Sequence, residues 1–364
     1  MADSPAAQTS DELATPDVAG VPSNQRLAEF LDLHQLGLGE IEISPLGDGH
    51  SNITLLVKRG GHEFVLRRPP HGQLQPGTHD VLREARLLSA IGTWEKSPNV
   101  LATCADTAVI GAPFYLMERA KGIVPGQPLD SFLDSRDARR KIGLELAQTL
   151  AELHGLDWLS AGVAVKGKGH NYLASQVRRF SALWELNKTR ELLDIVKIRD
   201  WLNSSMPTSG LTTIVHGDYR LGNTLFMEAE DEASTVKLSA VLDWEMATVG
   251  DPLADLGYLT MFWVQNADPD IRMFELSSLT REAGFLSRGE LIGAYEEHAK
   301  ISANHIRWYQ VLALWKLAIL MEGNFKRTQS GMSEDPFLKG FDRGVPELLK
   351  VANEVAFSGI SPIA

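Results

Sequence analysis

The chain has 364 residues, enough for about two domains at roughly 150 residues each, and its 44% hydrophobic and 23% charged residues are those of an ordinary globular protein. Lys and Arg total 35 against 47 Asp and Glu, a net charge of −12. This argues against a broad nucleic-acid-binding surface, which needs a cationic stripe to displace counterions from phosphates.

The first 20 residues, MADSPAAQTSDELATPDVAG, are acidic and rich in small residues and Pro, with neither the basic start nor the apolar core of a signal peptide. Residues 1–24 are expected to be a disordered tail. The segment from Ile41 to Pro70 alternates β-favouring runs with Gly-containing turns, the pattern of an antiparallel meander. Gly60-Gly61 marks its hairpin. After a Pro/Gly-rich loop, Val81, Leu82, Ala85, Leu88 and Ile91 recur at helical spacing. LATCADTAVI and PFYLME then read as strands, and Gly122 to Pro128 as a connector.

Beyond the connector five segments read as helices: RRKIGLELAQTLAELHGL, SQVRRFSALWEL, ELLDIVKIRDWL, ADLGYLTMFWV and HIRWYQVLALWKLAILMEGNF. A β-rich stretch from Thr212 to Met246 interrupts them, with an acidic turn from Glu228 to Glu232. The most apolar run, VLALWKLAILM, is broken by Lys316 and is far shorter than the roughly 20 residues of a membrane span. The single cysteine, Cys104, excludes an intramolecular disulfide framework and suits a reducing compartment. A cytoplasmic protein with no membrane or nucleic-acid partner is expected. The layout is α+β: an antiparallel-sheet lobe with one helix over 25–118, and a larger, mainly helical lobe over 119–364. A cleft between two such lobes is a natural ligand site.

Polar residues concentrate in IVHGDYRLGN, where an apolar run delivers Asp218 and Asn223 into a turn, while a second run delivers Asp243. Phosphoryl transfer needs a carboxylate to take the proton of an alcohol, oxygen ligands for a hard cation, and cations near the phosphates. Asp218 can be the base, Asn223 and Asp243 can hold Mg²⁺, and Arg220 can place charge near the transferred group. No GxSxG elbow and no Walker P-loop is present. His154, at a helix end, reads as a packed or capping residue. The eight tryptophans read mostly as core, with Trp263 and Trp308 singled out as acceptor-pocket candidates.

The spacing of Asp218 and Asn223, with HGD where protein kinases have HRD, resembles the aminoglycoside phosphotransferase and choline kinase superfamily, whose fold is that of protein kinases. VLDWEMATVGDPLADLGYL resembles its metal-binding segment, with Asp243 in the place of the kinase DFG aspartate, Asp251-Pro252 as a helix cap, and Asp255 as the buried brace of the catalytic loop. The wording is most similar to the branch fused in some organisms to acyl-CoA dehydrogenases. The resemblance implies a two-lobed kinase-like fold, ATP (with GTP left open) and Mg²⁺ as cofactors, a small-molecule hydroxyl acceptor, and a functional link to an acyl-CoA dehydrogenase. It also implies a nucleotide loop at LGDGHSNITLLV, with Gly47, Gly49, Ser51 and Asn52 on the phosphates, lacking the third glycine of the protein-kinase version. Arg67 stands where the kinase lysine is expected, and Glu84 falls on the helix that pairs with it. The backbone of Glu118 and Ala120 would meet the adenine.

The resemblance implies an ATP-dependent kinase of a small molecule and, through the dehydrogenase-associated branch, a hydroxyacyl compound in preference to an aminoglycoside as acceptor. Arg67 and the altered loop also fit a catalytically weak, pseudokinase-like nucleotide-binding module. Protein phosphorylation lacks an activation segment ending in APE.

Overall fold

The computed structural model describes residues 25–47, 52–70, 80–163, 171–208, 210–229, 236–331 and 335–358. The expected tail, Gly49, Ser51 and the far part of the acidic turn lie outside the described residues. The chain divides into two compact units, the first running to Arg86 and including Asn99–Arg119, the second comprising Leu87–Pro98 and everything from Ala120.

In the first unit five antiparallel strands, β1 (Glu42–Pro45), β2 (Ile53–Arg59), β3 (His62–Arg68), β4 (Val100–Cys104) and β5 (Phe114–Glu118), form one sheet in the order β1-β2-β3-β5-β4. The β2–β3 hairpin closes on Gly60 and Gly61 at φ 56° and 80°, the left-handed pair that a two-residue turn requires. Alternation along the strands sends Leu55, Val57, Phe64, Leu66, Phe114 and Leu116 into one core. That core also contains Leu27 and Leu31 of helix α1 (Gln25–Leu33). Arg67, one residue on from Leu66, lies on the opposite face. There it meets helix α2 (Val81–Ala90). The sheet with one helix expected from the sequence thus carries α1 as well. Only the first half of LATCADTAVI is strand; the rest is turn.

The second unit contains α3 (Arg136–His154), α4 (Tyr172–Asn187), α5 (Leu193–Ser204), α6 (Leu253–Met261), α7 (Arg272–Glu275), α8 (Arg288–Ala299), α9 (Ile306–Gln329), α10 (Pro336–Lys339) and α11 (Phe341–Phe357). Between α5 and α6 run β6 (Thr213–Val215), the hairpin β7 (Thr224–Glu228) and β8 (Val236–Val241), and β9 (Thr248–Gly250), which pairs antiparallel with β6. Helix α9 is the axis of the unit, and α11 and α6 pack most extensively against it. No helix among the described residues is long and apolar enough to cross a membrane.

The five helix-like segments fall on α3, α4, α5, α6 and α9. Two further long helices, α8 and α11, went unread. Helix α11 contains Pro346, which cannot donate to the Asp342 carbonyl one turn back. Arg190 supplies the missing donor: its guanidinium bonds the carbonyls of Asp342 and Phe341 and pairs with the fully buried Glu322 at 3.0 Å.

Gly257 is where α6 crosses α9. A Cβ there would sit 2.5 Å from the Tyr309 Cβ and 2.7 Å from its carbonyl carbon. Helix propensity favours Gly257→Ala by about 1 kcal/mol, but the clash is with main chain that cannot turn aside, and overpacking costs about 1–3 kcal/mol. Gly257→Ala is therefore expected to lower the unfolding free energy in urea by up to about 2 kcal/mol, whereas a propensity-dominated site would raise it.

Candidate functional site

The functional loop hangs from one carboxylate. Asp255, fully buried on the first turn of α6, accepts the backbone N–H of His216 at 2.6 Å and of Gly217 at 2.8 Å. His154, at the end of α3, stands 3.4 Å from the same carboxylate through Nε2, with its Nδ1 2.7 Å from the Tyr295 hydroxyl. Burial pushes the Asp255 carboxyl up, but the His154 hydrogen bond and the Gly217 N–H outweigh it and hold the group below the usual aspartate value. His154 is packed and bridging, as its helix-end position suggested.

Helix α6 is itself fixed at its start. Asp251 accepts the Leu253 N–H at 2.9 Å, the cap expected of Asp-Pro, and also the Tyr309 hydroxyl at 2.8 Å.

Between His216 and Asn223 the backbone is over-determined. Gly217 has φ 85°, and a Cβ there would stand 2.9 Å from the Met246 carbonyl oxygen, so the middle letter of HGD is fixed by sterics. The His216 ring donates from Nε2 to the Leu242 carbonyl at 2.9 Å and accepts the Asp218 N–H on Nδ1 at 3.2 Å, which defines its tautomer. Asn223 donates its Nδ2 to both the carbonyl and Oδ2 of Asp218, each at 2.8 Å. Its own carbonyl accepts the Leu242 N–H at 2.8 Å, which brings Asp243 beside it.

Asp218 therefore has one carboxylate oxygen held by Asn223. The other, Oδ1, is buried and accepts no hydrogen bond among the described residues, with Arg220 Nε 3.5 Å away. The Arg220 guanidinium lies 5.6 Å over the Phe262 ring. Asp243 occupies the left-handed region, φ 65° and ψ 65°, a strain of about 1–3 kcal/mol that aims its carboxylate. Asp218, Arg220, Asn223 and Asp243 are thus brought together in the second unit.

In the first unit Arg67 and Glu84 form a buried ion pair at 3.5 Å. Gly47 has φ 77° with open space around it, and Asn52 is buried. The Glu118 N–H donates to the Asn99 carbonyl at 2.9 Å, so of the two hinge positions only Ala120 has an amide without a backbone acceptor among the described residues. A purine reading Glu118 would have to do so through its carbonyl.

Sequence reasoning missed three residues here. Tyr258, one helical turn after Asp255, has its hydroxyl pushed well up by burial and then by the Asp218 charge, which puts it beside the candidate base. Lys316 of α9 carries its ammonium 4.8 Å from the centre of the Phe180 ring, and Arg179 lies 5.9 Å from that same ring. The available signal was a single cation in an otherwise apolar run. Conversely, Trp263 and Trp308 are core residues whose indole N–H groups are spent on the carbonyls of Leu286 and Leu202, at 2.8 and 3.0 Å, so neither serves an acceptor pocket.

The order of these groups along the chain matches a known pattern from residue 42 to 281. The chain belongs to the phosphotransferase enzyme family. Among curated relatives it is 30% identical to human acyl-CoA dehydrogenase family member 11 over 86% of its own length and 41% of that protein's. It is also 30% identical to mouse acyl-CoA dehydrogenase family member 10 over 81% and 27%. The chain therefore spans well under half the length of these relatives. A candidate aminoglycoside phosphotransferase from Ralstonia eutropha superposes with a TM-score of 0.73 at 26% identity, covering 92% of this chain and 98% of the other. A microcompartment-associated aminopropanol kinase superposes at 0.59 and 16% identity, covering 94% and 100%, a likeness of fold. These matches bear out the kinase-like α+β architecture and the phosphotransferase assignment.

Lys316 allows a test of how this phosphotransferase holds a half-buried cation. Burial, then the charge of Arg179, lowers its ammonium to about 8. The unfolded chain binds this proton up to about pH 10.4, so between pH 8 and 10.4 it holds more protons than the folded chain, and stability contributed here rises with pH. Lys316→Met should accordingly stabilise the protein at pH 7, by at most about 3 kcal/mol. Urea titrations at pH 7 and pH 9.5 should find that gain shrinking at the higher pH.

Proposed function

We propose that the chain transfers the γ-phosphate of ATP to a hydroxyl group of a small molecule, with Asp218 as the base. The observation that carries this reading is the asymmetry of the Asp218 carboxylate, with Oδ2 held by Asn223 and the buried Oδ1 left to accept a hydrogen bond. An alcohol donating to Oδ1 would be oriented for attack and would lose its proton there as the new P–O bond forms.

The residues fit Mg²⁺. Asn223 commits its Nδ2 to Asp218, so its Oδ1 remains an oxygen donor, and Asp243 adds a carboxylate from the adjoining strand end. No cluster of three His, Cys, Asp or Glu side chains suited to a metal occurs among the described residues. That suits a cation that takes one or two protein oxygens and completes its shell with phosphates and water. When bound, it would neutralise charge on the nucleotide phosphates.

Arg220, fixed over Phe262, can offset charge on the transferred group, while Arg67 in its pair with Glu84 can do so on the α- and β-phosphates. The glycine loop, with Gly47 and Asn52 as its described members, and the hinge at Glu118 and Ala120 complete the proposed nucleotide contacts. An intact Arg67–Glu84 pair favours an active enzyme over a weak nucleotide-binding module. The acyl-CoA dehydrogenase names of the relatives support a hydroxyacyl acceptor and a functional link to such a dehydrogenase.

Asp218→Asn keeps the shape of the loop and removes the base. Acceptor-dependent ADP release should fall by about 10²–10⁴-fold, while the dissociation constant for ATP in the presence of Mg²⁺ stays within about threefold. Turnover equal to wild type on a hydroxylated acceptor would remove Asp218 from the role of base.

A further inference from the structure

Arg220 is held by packing rather than by hydrogen bonds. Among the described residues its one ion pair is with Asp218, which its Nε approaches to 3.5 Å, and its terminal nitrogens make no hydrogen bond. Two surfaces confine the guanidinium instead. The first is the Phe262 ring, whose centre lies 5.6 Å from Cζ; Phe262 is buried and is backed by the Tyr258 ring at 4.9 Å. The second is the main chain at Gly222, where a Cβ would stand 2.5 Å from Nη1 and 3.4 Å from Cζ of Arg220. Gly222 sits in the short turn Leu221–Asn223 and not at a positive φ, so its backbone suits any residue. The atoms nearest to that Cβ all belong to Arg220. What the position lacks is room beside the guanidinium.

We infer that Gly222 and Phe262 are positioning residues: they form a slot that keeps the Arg220 guanidinium off Asp218 Oδ1 and leaves its terminal nitrogens for the transferred phosphoryl group. This inference rests on the reading of Asp218 as the base. An arginine beside a carboxylate tends to close on it through two parallel N–H bonds. Here the exposed target is Oδ1, buried and without a hydrogen bond among the described residues, 3.5 Å from Nε. A guanidinium free to move would close on that oxygen and take the place of the alcohol. In the slot its planar face is spent on Phe262, and Nε stays beyond the length of a good charge-assisted hydrogen bond. Helix α6 thus sets the site twice, fixing the backbone of the loop through Asp255 and the arginine through Phe262.

The test pairs Gly222→Ala and Phe262→Leu with Arg220→Ala, singly and in combination. Gly222→Ala displaces the tip of a flexible side chain and no main chain, so its urea midpoint should be that of wild type. ADP release from ATP with Mg²⁺ is followed with hydroxyalkanoates, diols and amino alcohols, and with water alone. Arg220→Ala should lower turnover by about 10²-fold. Gly222→Ala and Phe262→Leu should each lower it by about fivefold or more, since small misplacements of a working group are costly. Neither should lower it further once Arg220 is alanine, the double variants matching Arg220→Ala within about twofold. A readout independent of turnover is the Nε–H signal of Arg220 in ¹⁵N NMR, assigned by its loss in Arg220→Ala. It should report an ordered group in the wild type and a mobile or shifted one in both slot variants.

A mobile Arg220 Nε–H in the wild type, wild-type turnover in Gly222→Ala, or losses that add to that of Arg220→Ala would each overturn the slot. If the Nε–H signal responds as predicted but the wild type releases no ADP with any probe or with water, the slot stands and the kinase reading fails. If the wild type turns over and the slot variants leave both turnover and the signal unchanged, the kinase reading stands and the slot fails.

Discussion

Two main-chain N–H groups converge on the buried Asp255 carboxylate, and the geometry of the loop from His216 to Asn223 depends on that convergence. A carboxylate taken out of water is stable only when its lone pairs are satisfied. The amides of His216 and Gly217 and the ring of His154 satisfy them and, in doing so, fix the loop's entry. The His216 ring then ties the loop to Leu242, at the end of β8, and Asn223 does so again through its carbonyl. Asp218 and Asp243 lie on separate segments, yet they are held by one continuous set of hydrogen bonds.

Rigidity on this scale is supported from below. Asp255 belongs to α6, whose first turn is capped by Asp251 and tied to α9 through Tyr309, and Gly257 lets the two helices close to main-chain contact. The left-handed Asp243 has a conformation that a non-glycine residue in free chain disfavours, and it persists inside this frame.

The chemistry was legible in the sequence because its groups lie close together: Asp218, Arg220 and Asn223 within six residues, and Asp243 just past the hairpin that follows. The sheet, its Gly60-Gly61 turn and five helices were legible from periodicity. The contact of Asp255 with the loop spans nearly forty residues, and only the resemblance to a family pointed to it. Helix α11 was hidden by Pro346, whose lost hydrogen bond is made good by Arg190, a residue some 150 positions away. Helix α8 carries a readable capping box, Ser287 with Glu290, that went unused. Lys316 was read only as an interruption of an apolar run, since nothing local reveals that α4 brings Arg179 and Phe180 to it. Trp263 and Trp308 misled for a related reason, because the carbonyls that take their indole N–H groups come from distant segments.

The dependence of the loop on Asp255 is tested most directly by amide hydrogen exchange at His216 and Gly217 in the wild type and in Asp255→Asn. The asparagine keeps the volume, but one of its two positions becomes a donor facing an N–H. The predicted result is faster exchange at those two amides and loss of phosphoryl transfer, with protection in α9 retained. Unchanged protection of both amides together with full activity would contradict the central place given to this carboxylate.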